Sequence, residues 1–197
     1  MPRSHVTEYN VLGFDCESKS PGGRETALLQ LATHRGLCVL IRLCKMKTIP
    51  IELQTILEDK TILKVGIAPH SDANKLFSGY RLKVAGVMDL KYLAKKCKCK
   101  SQGIGKLSEE VLKVRLSHKE KGLLTQKIHK KWENDALDDE NIKYAADDAH
   151  VAIELFKKFQ EKLMQPTTCS GDQTKDVQKF IDEYCMSYWT NKQKKYN

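Results

Sequence analysis

Hydrophobic and polar positions follow a strand-like pattern in the first third of the chain. Three runs rich in apolar and β-branched residues stand there: NVLGFDC, ALLQLAT and LCVLIRL. The turn residues SPGG separate the first two runs, and the region around Gly36 separates the last two. Short strands joined by such turns predict an antiparallel meander of three strands.

Helices and strands alternate after the meander. Apolar positions at helical spacing predict a short helix in IPIELQTILED, with its proline just inside the start, and a second helix from about Ser71 to Phe77. Between them, the continuous apolar run TILKVGI predicts a central strand covered on both faces. The segment VAGVMDL predicts a further strand, which leads into a helix at LKYLAKK.

Helical periodicity then continues to the end of the predicted domain. After the irregular stretch KCKCKSQGIG, the segment IGKLSEEVLKV returns to apolar positions on one side. The longest helical pattern is LDDENIKYAADDAHVAIELFKKFQEKLM, for which Asp138 or Asp139 is a suitable N-cap. Strands followed by alternating strands and helices predict an α/β domain around a mixed β-sheet flanked by α-helices.

Length and composition fit one domain with a tail. The chain has 197 residues, of which 41% are hydrophobic, enough to bury one core. We predict a domain over residues 1–164 and a linker with a C-terminal helical tail over residues 165–197. The segment QPTTCSGDQ has the composition of a linker, and VQKFIDEYCMSYW has the pattern of an amphipathic helix.

Neither a signal peptide nor a membrane segment is predicted. No apolar run approaches about 18 residues, and the first ten residues contain no hydrophobic signal region. The seven cysteines are odd in number and irregularly spaced, and Cys16, Cys38 and Cys44 lie within apolar strands. We interpret them as small buried side chains in a reducing compartment. We therefore expect an intracellular protein of the nucleus, cytoplasm or mitochondrion that is not secreted.

Positive charge is concentrated in one segment, the lysine-rich block from Lys91 to Lys131. The formal net charge of the chain is +9. Within the block, thirteen Lys or Arg residues stand against three Glu residues, a local net charge of +10. A block of one sign attracts a polyanion, so nucleic acid is the natural partner. A solvated lysine-rich helix face is the alternative.

Five residues that are far apart in the sequence have the chemistry of a metal site. Asp15 and Glu17 alternate in a predicted strand, which places both carboxylates on one face. Tyr144 and Asp148 are four residues apart in a helical pattern, which also places them on one face. Asp72 completes the set. This hypothesis requires the last helix to pack near the first strand, so that Asp148 meets Asp15.

Four carboxylates favour hard cations that prefer oxygen ligands, here Mg²⁺ or Mn²⁺. Two such ions, roughly 3.5–4 Å apart, contact both oxygens of an in-line displacement at phosphorus, so the implied reaction is phosphodiester hydrolysis. Four of the five residues also have a structural alternative. Asp15 and Glu17 can form a surface pair, Asp72 can cap its helix, and Tyr144 can be a core tyrosine.

Three other features have a structural interpretation that we favour over a functional one. His70 is interpreted as structural or exposed, although a contact with substrate phosphate is an alternative. The pair Cys97 and Cys99 lacks partners at zinc-like spacing, so we interpret it as a loop. Trp132 is interpreted as a helix-packing residue, and stacking on a base is the alternative.

Taken together, the motifs resemble those of the DEDDy 3′-5′ exonucleases, which have a ribonuclease-H-like (DnaQ-like) fold. The resemblance extends to ribonuclease D, the Werner exonuclease domain and the exonuclease 3′-5′ domain-containing proteins. FDCE matches the first motif, Asp72 within KVGIAPHSDANKL the second, and YAADDA the third. The similarity spans about Val11 to Leu163. The order and spacing of the motifs make the combined match specific.

The resemblance implies a role for each residue of the site. Asp15, Glu17 and Asp148 would hold the metal that carries the attacking water, and Asp15 with Asp72 would hold the second metal. Tyr144 would orient the water. The implied activity is metal-dependent 3′-5′ exonuclease hydrolysis of DNA, RNA or both, which releases nucleoside 5′-monophosphates.

Two departures from the family pattern stand near the first motif. Ser18 follows the motif where relatives usually have an aromatic residue, and ten residues precede Val11 where relatives carry a strand and a helix. One expectation is that the chain is a fragment or an alternative product. A nucleic-acid-binding or scaffold module without turnover is the rival function. The sequence does not fix the preference for DNA or RNA or the oligomeric state, and a homodimer is one alternative left open.

Overall fold

The computed structural model describes residues 9–19, 25–116 and 132–164, which form a five-stranded sheet with helices on both faces. Several sequence predictions fall outside these residues. They are the SPGG turn, the part of the lysine-rich block after residue 116, and the tail over residues 165–197. The predicted domain boundary therefore stays a prediction.

The sheet combines an antiparallel meander with parallel strands. Its strands are β1 (Val11–Ser18), β2 (Thr26–Ala32), β3 (Cys38–Ile41), β4 (Leu63–Gly66) and β5 (Val87–Asp89). They lie in the order β3-β2-β1-β4-β5. The pairs β1–β2 and β2–β3 are antiparallel, and the pairs β1–β4 and β4–β5 are parallel. The predicted meander, the interior position of the TILKVGI strand and the predicted fold class are confirmed.

The helices follow the predicted order, with small differences at their ends. They are α1 (Ile51–Glu58), α2 (Pro69–Tyr80), α3 (Leu90–Lys96), α4 (Ile104–Leu107), which continues as a π-helical turn over Ser108–Leu112, and α5 (Asp139–Met164). Helix α2 is longer than predicted because Pro69 already occupies its first turn. Pro50 caps α1 from outside, so its predicted place inside the helix is wrong. Asp138 is the N-cap of α5, since its carboxylate accepts a hydrogen bond from the Asn141 backbone N–H at 2.8 Å.

The alternation of side chains along β1 divides the core into two layers. Leu12, Phe14 and Cys16 point to one face, where they pack with apolar residues of α1 and α2. The opposite face carries Val11, Gly13 and Asp15, and α5 covers it. The buried residues of that layer from α5 are Val151, Ala152, Leu155, Phe156 and Phe159.

A glycine lets α5 approach the sheet at this point. A Cβ atom added at Gly13 would lie 1.9 Å from the Ala149 carbonyl oxygen, far inside van der Waals contact. The backbone of β1 therefore touches the backbone of α5 one residue after Asp148. This close contact meets the requirement that the last helix pack against the first strand.

Among the described helices, none is both long and apolar enough to cross a membrane.

Candidate metal centre

Three carboxylates from two elements meet where α5 crosses β1. Asp15 and Glu17 alternate on β1 and share the face that α5 covers. Asp148 lies on α5 and is 2% exposed, and Glu17 is 7% exposed. One ligand oxygen from each of Asp15, Glu17 and Asp148 lies within 4.8 Å of the others. Three negatively charged oxygens this close together, and largely removed from water, form a site for a cation.

The donor set fits Mg²⁺ or Mn²⁺. All three candidate ligands are carboxylates, the oxygen donors that these hard cations prefer. Burial and mutual repulsion both oppose three ionised carboxylates without a counter-charge. A divalent cation held by Asp15, Glu17 and Asp148 would remove both penalties.

Asp72 lies beside this group rather than within it. It occupies the first turn of α2 and is 7% exposed, and the group of ligand atoms within 4.8 Å does not include it. Ala68, and not Asp72, is the N-cap of α2, so the helix-cap alternative is wrong. The Asp72 charge nevertheless acts on Asp15, because it contributes to the raised pKa of the Asp15 carboxyl. Asp72 is thus close enough to share in the electrostatics of the site.

Lys75 is a neighbour of Asp72 that the sequence reasoning missed. It lies one turn further along α2, with its Nζ 3.4 Å from Asp72 Oδ1 and 3.3 Å from Ser18 Oγ. Ser18 therefore takes part in a polar network at the end of β1. The spacing of Asp72 and Lys75, at i and i+3 in a predicted helix, was the signal that could have found this pair.

The pKa values of two carboxyls show the cost of this arrangement. The pKa of Asp15 is raised well above its usual value by burial, then by the charges of Asp148, Glu17 and Asp72. Burial also raises the pKa of Asp72 from 3.8 to about 6, although Lys75 opposes the rise. Burial and the charges of Asp72 and Asp15 raise the pKa of the Cys16 thiol. Burial and the mutual repulsion of these carboxyls therefore both oppose their ionisation unless a counter-charge is present.

We predict that Asp72→Asn flattens the pH dependence of stability of the metal-free protein. Because the folded-state pKa of Asp72 is about 6 and its ordinary value is 3.8, the folded state binds more protons than the unfolded state in this window. The wild type should therefore lose about 2 kcal/mol from this carboxyl as the pH rises from 4 to 7. Urea unfolding in EDTA at both pH values measures the loss. Identical pH dependences in the two proteins would contradict the assignment.

Tyr144 lies one turn before Asp148 on α5 and is 3% exposed. Its ring centroid is 6.0 Å from that of Trp132, which is 1% exposed. Trp132 packs in the interior, as predicted, and its burial does not favour base stacking. Arg42 holds the segment that follows Trp132, because its guanidinium donates to the carbonyl oxygens of Asn134 and Asp135. Tyr144 is thus both a core residue and a neighbour of the carboxylates.

We predict that Tyr144→Phe lowers the hydrolysis rate by about tenfold to a hundredfold while metal binding is retained. The substitution removes only the hydroxyl, so the packing against Trp132 is kept. Single-turnover kinetics at saturating Mn²⁺, together with a Mn²⁺ titration, separate the two effects. A Phe variant with the wild-type rate would exclude the hydroxyl from the reaction.

Comparison with known proteins identifies the family of this chain. A family model described as 3′-5′ exonuclease matches residues 4–164. Exonuclease 3′-5′ domain-containing protein 2 of Drosophila melanogaster is 42% identical over 159 residues, which cover 80% of this chain and 26% of that protein. The human protein of the same name is 40% identical over 164 residues, covering 78% and 26%. The chain therefore spans about a quarter of the length of these relatives.

More distant proteins are also similar. The bifunctional 3′-5′ exonuclease/ATP-dependent helicase WRN of Mus musculus is 29% identical over 160 residues, covering 78% of this chain and 11% of that protein. A crystal structure of the EXD2 exonuclease domain soaked in Mn and Mg is 36% identical, with a TM-score of 0.46 over 81% of each chain. Because the family model covers most of the sequence and includes all five candidate site residues, the chain belongs to the 3′-5′ exonuclease domain family, as its motifs predicted.

Proposed function

We propose that this chain is a metal-dependent 3′-5′ exonuclease that hydrolyses phosphodiester bonds of DNA, RNA or both. It would remove nucleotides from the 3′ end as nucleoside 5′-monophosphates. The observation that carries the proposal is the meeting of Asp15, Glu17 and Asp148 within 4.8 Å, in a chain of this family. Two buried carboxylates and one half-buried carboxylate held this close together are costly unless a cation balances their charge.

The proposed roles follow the positions of the side chains. Asp15, Glu17 and Asp148 would hold one Mg²⁺ or Mn²⁺, and Asp15 with Asp72 would hold a second. When bound, such ions lower the pKa of water and neutralise charge on the phosphate. Asp72 also pairs with Lys75, whose Nζ lies 3.4 Å from its Oδ1 and offsets part of its negative charge.

Two other groups would prepare the reaction without touching the metal. The Tyr144 hydroxyl, one turn from Asp148, would orient the attacking water. Lys75, which pairs with Asp72, would lie next to the site with its positive charge available to a phosphate oxygen. Both residues stand on helices packed on the sheet, which keeps their geometry fixed.

The test is a degradation assay with defined ends. The protein is incubated with 5′-labelled single strands of DNA and RNA, in Mg²⁺, Mn²⁺ or EDTA. We expect a ladder that shortens from the 3′ end in either metal and no cleavage in EDTA, and the comparison of the two substrates gives the sugar preference. Substrate bound without shortening would favour the rival function, a binding or scaffold module. Cleavage in EDTA would contradict the metal site.

The lysine-rich block is the proposed substrate-binding surface. In its described part, Lys95, Lys96, Lys98 and Lys100 are exposed on the last turn of α3 and the loop after it. Glu110 orders this loop, because its carboxylate accepts hydrogen bonds from the backbone N–H groups of Lys100 and Ser101. The block thus presents several ammonium groups from one ordered segment.

We predict that reversing the charges of Lys96, Lys98 and Lys100 to Glu weakens binding of single strands to a similar degree for all sequences. The slope of log K against log salt should flatten by roughly 2, because fewer counterions are released. Filter binding across a salt series measures both effects. The matched control reverses Lys47, Lys60 and Lys83, which are exposed and lie outside the block. Equal effects of the two triple variants would show only a general charge effect.

A second triple variant covers the part of the block beyond the described residues. Reversal of Lys127, Lys130 and Lys131 is expected to act in the same direction. If both block variants kept the wild-type affinity and salt slope, the block would be a solvated surface. A nucleic-acid partner and an intracellular location remain predictions from the sequence, and a homodimer is an alternative that the sequence leaves open.

A further inference from the structure

Gln30 is a buried polar residue that the proposed mechanism does not use. It lies in the middle of β2 and is 0% exposed. Neither its side-chain Nε2 nor its Oε1 forms a hydrogen bond with any described residue. Buried amides are nearly always paired, so an unpaired one requires an explanation. Replacing it with an apolar residue would remove this cost, so its presence indicates a role beyond packing.

The register of the sheet places this amide next to the metal centre. Gln30 is directly opposite Asp15 in the antiparallel pair of β1 and β2. Directly opposite residues point to the same face, with Cβ atoms about 4.5–5.5 Å apart. On that face, Leu28 packs with Tyr144 and Ala145 of α5. Gln30, the next inward residue of β2, is therefore enclosed between Asp15 and the helix that carries Asp148.

We propose that Gln30 is a positioning residue of the metal centre, whose Nε2–H donates to the carboxylate of Asp15 when a divalent cation is bound. This inference rests on the proposed function. A cation that draws Asp15 into one orientation leaves the remaining carboxylate lone pairs free to accept from the amide. The hydrogen bond then fixes the carboxylate for the cation, as partners of metal ligands commonly do.

The proposal and a purely structural role predict opposite results for Gln30→Met, which keeps the length of the side chain and removes its polar atoms. If Gln30 serves the metal, the variant should be as stable as the wild type or more stable in EDTA, because a buried unpaired amide is gone. Its affinity for Mn²⁺ should fall by about tenfold to a hundredfold. A structural amide would instead leave Mn²⁺ affinity unchanged and lower the melting temperature in EDTA.

The experiment combines thermal melts in EDTA with calorimetric titration of Mn²⁺. It compares the wild type, Gln30→Met, Asp15→Asn and the control Gln54→Met. The control makes the same substitution on α1, at the other face of the sheet. There the Gln54 amide donates to the Ile49 carbonyl oxygen at 3.3 Å. We expect weakened Mn²⁺ binding in Gln30→Met and Asp15→Asn and wild-type binding in Gln54→Met. Wild-type Mn²⁺ affinity in Gln30→Met, or a lower melting temperature in EDTA, would overturn the role of Gln30.

Failure of the underlying function gives a different pattern. If the wild type bound no Mn²⁺, or if Asp15→Asn bound it as tightly as the wild type, the metal centre itself would be wrong, and the role of Gln30 with it. If the wild type bound Mn²⁺ through Asp15 and Gln30→Met kept the wild-type Mn²⁺ affinity, the proposed function would stand without a role for Gln30.

Discussion

Asp15→Asn and Asp148→Asn are each expected to lower the hydrolysis rate by about three orders of magnitude or more and to leave the fold intact. Each substitution removes one charged ligand oxygen from the group within 4.8 Å. Loss of a cation that stabilises the transition state costs several kcal/mol, and each 1.4 kcal/mol is about tenfold in rate. Single-turnover cleavage of a labelled strand in Mn²⁺ measures the effect.

The same substitutions should raise the stability of the metal-free protein. Asp15 and Asp148 repel each other, as the raised pKa of Asp15 shows. Neutralising one of them relieves this repulsion, and a gain of about 1 kcal/mol raises the melting temperature by about 2–4 °C in a chain of this size. Thermal melts in EDTA test this prediction. In Mn²⁺, the wild type should have the higher melting temperature, because it binds the cation more tightly.

The matched control is Asp147→Asn, at the position next to Asp148 on α5. Asp147 pairs with Lys143 across one helical turn at 2.7 Å, and it does not belong to the carboxylate group. The control variant should therefore keep the wild-type rate. Substantial turnover by both Asp15→Asn and Asp148→Asn, or equal loss in the control, would defeat the assignment of the site.

Gly13→Ala is expected to be the most damaging small substitution in the described core. The new Cβ would lie 1.9 Å from the Ala149 carbonyl oxygen and 2.9 Å from its carbon, both backbone atoms. Because the clashing atoms belong to the backbone, no side-chain rotation can relieve the contact, and α5 must move outward. Overpacking of this kind costs about 3 kcal/mol or more, which lowers the melting temperature by about 10 °C.

Activity should fall further than stability accounts for. Ala149 follows Asp148 directly, so a shift of α5 carries Asp148 away from Asp15 and Glu17. A site loosened by about 1 Å loses much of its rate. Mn²⁺ affinity and cleavage, measured at a temperature where the variant is folded, separate this effect from unfolding.

The control for this prediction is Gly79→Ala near the end of α2. Nothing lies within 4 Å of a Cβ atom added at Gly79. Alanine has the higher helix propensity, so this variant should be unchanged or more stable by up to about 1 kcal/mol. If Gly13→Ala were equally well tolerated, the close contact between β1 and α5 would not be a determinant of the site.

The sequence patterns predicted the order of elements well because each carries a local signal. The meander follows from alternating apolar runs and turn residues, and Gly36 adopts the positive φ of 83° that such a turn requires. The long helix follows from its period and from Asp138, which caps it. Spacing within a strand and within a helix places Asp15 with Glu17 and Tyr144 with Asp148, and the resemblance to the exonuclease motifs joined the two pairs.

Other parts of the site depend on distances between elements, which spacing does not encode. From the sequence, Gly13 is only a glycine within a strand, and its role appears only once α5 packs against it. Gln30 is only a polar position in the run ALLQLAT, and its place opposite Asp15 follows from the register of β1 and β2. The offset of Asp72 from the other carboxylates depends on how α2 begins at Pro69 and on its ion pair with Lys75. These features arise from packing, register and charge pairing in three dimensions.

The proposed function requires that the carboxylates where α5 crosses β1 hold the divalent cations of the reaction. The most direct measurement is the anomalous difference density of Mn²⁺ in a crystal of the protein soaked at a saturating concentration. We predict a peak bonded to oxygens of Asp15, Glu17 and Asp148, and a second one between Asp15 and Asp72. Saturating Mn²⁺ that left this position empty, or that bound only elsewhere on the molecule, would rule out the proposed metal centre.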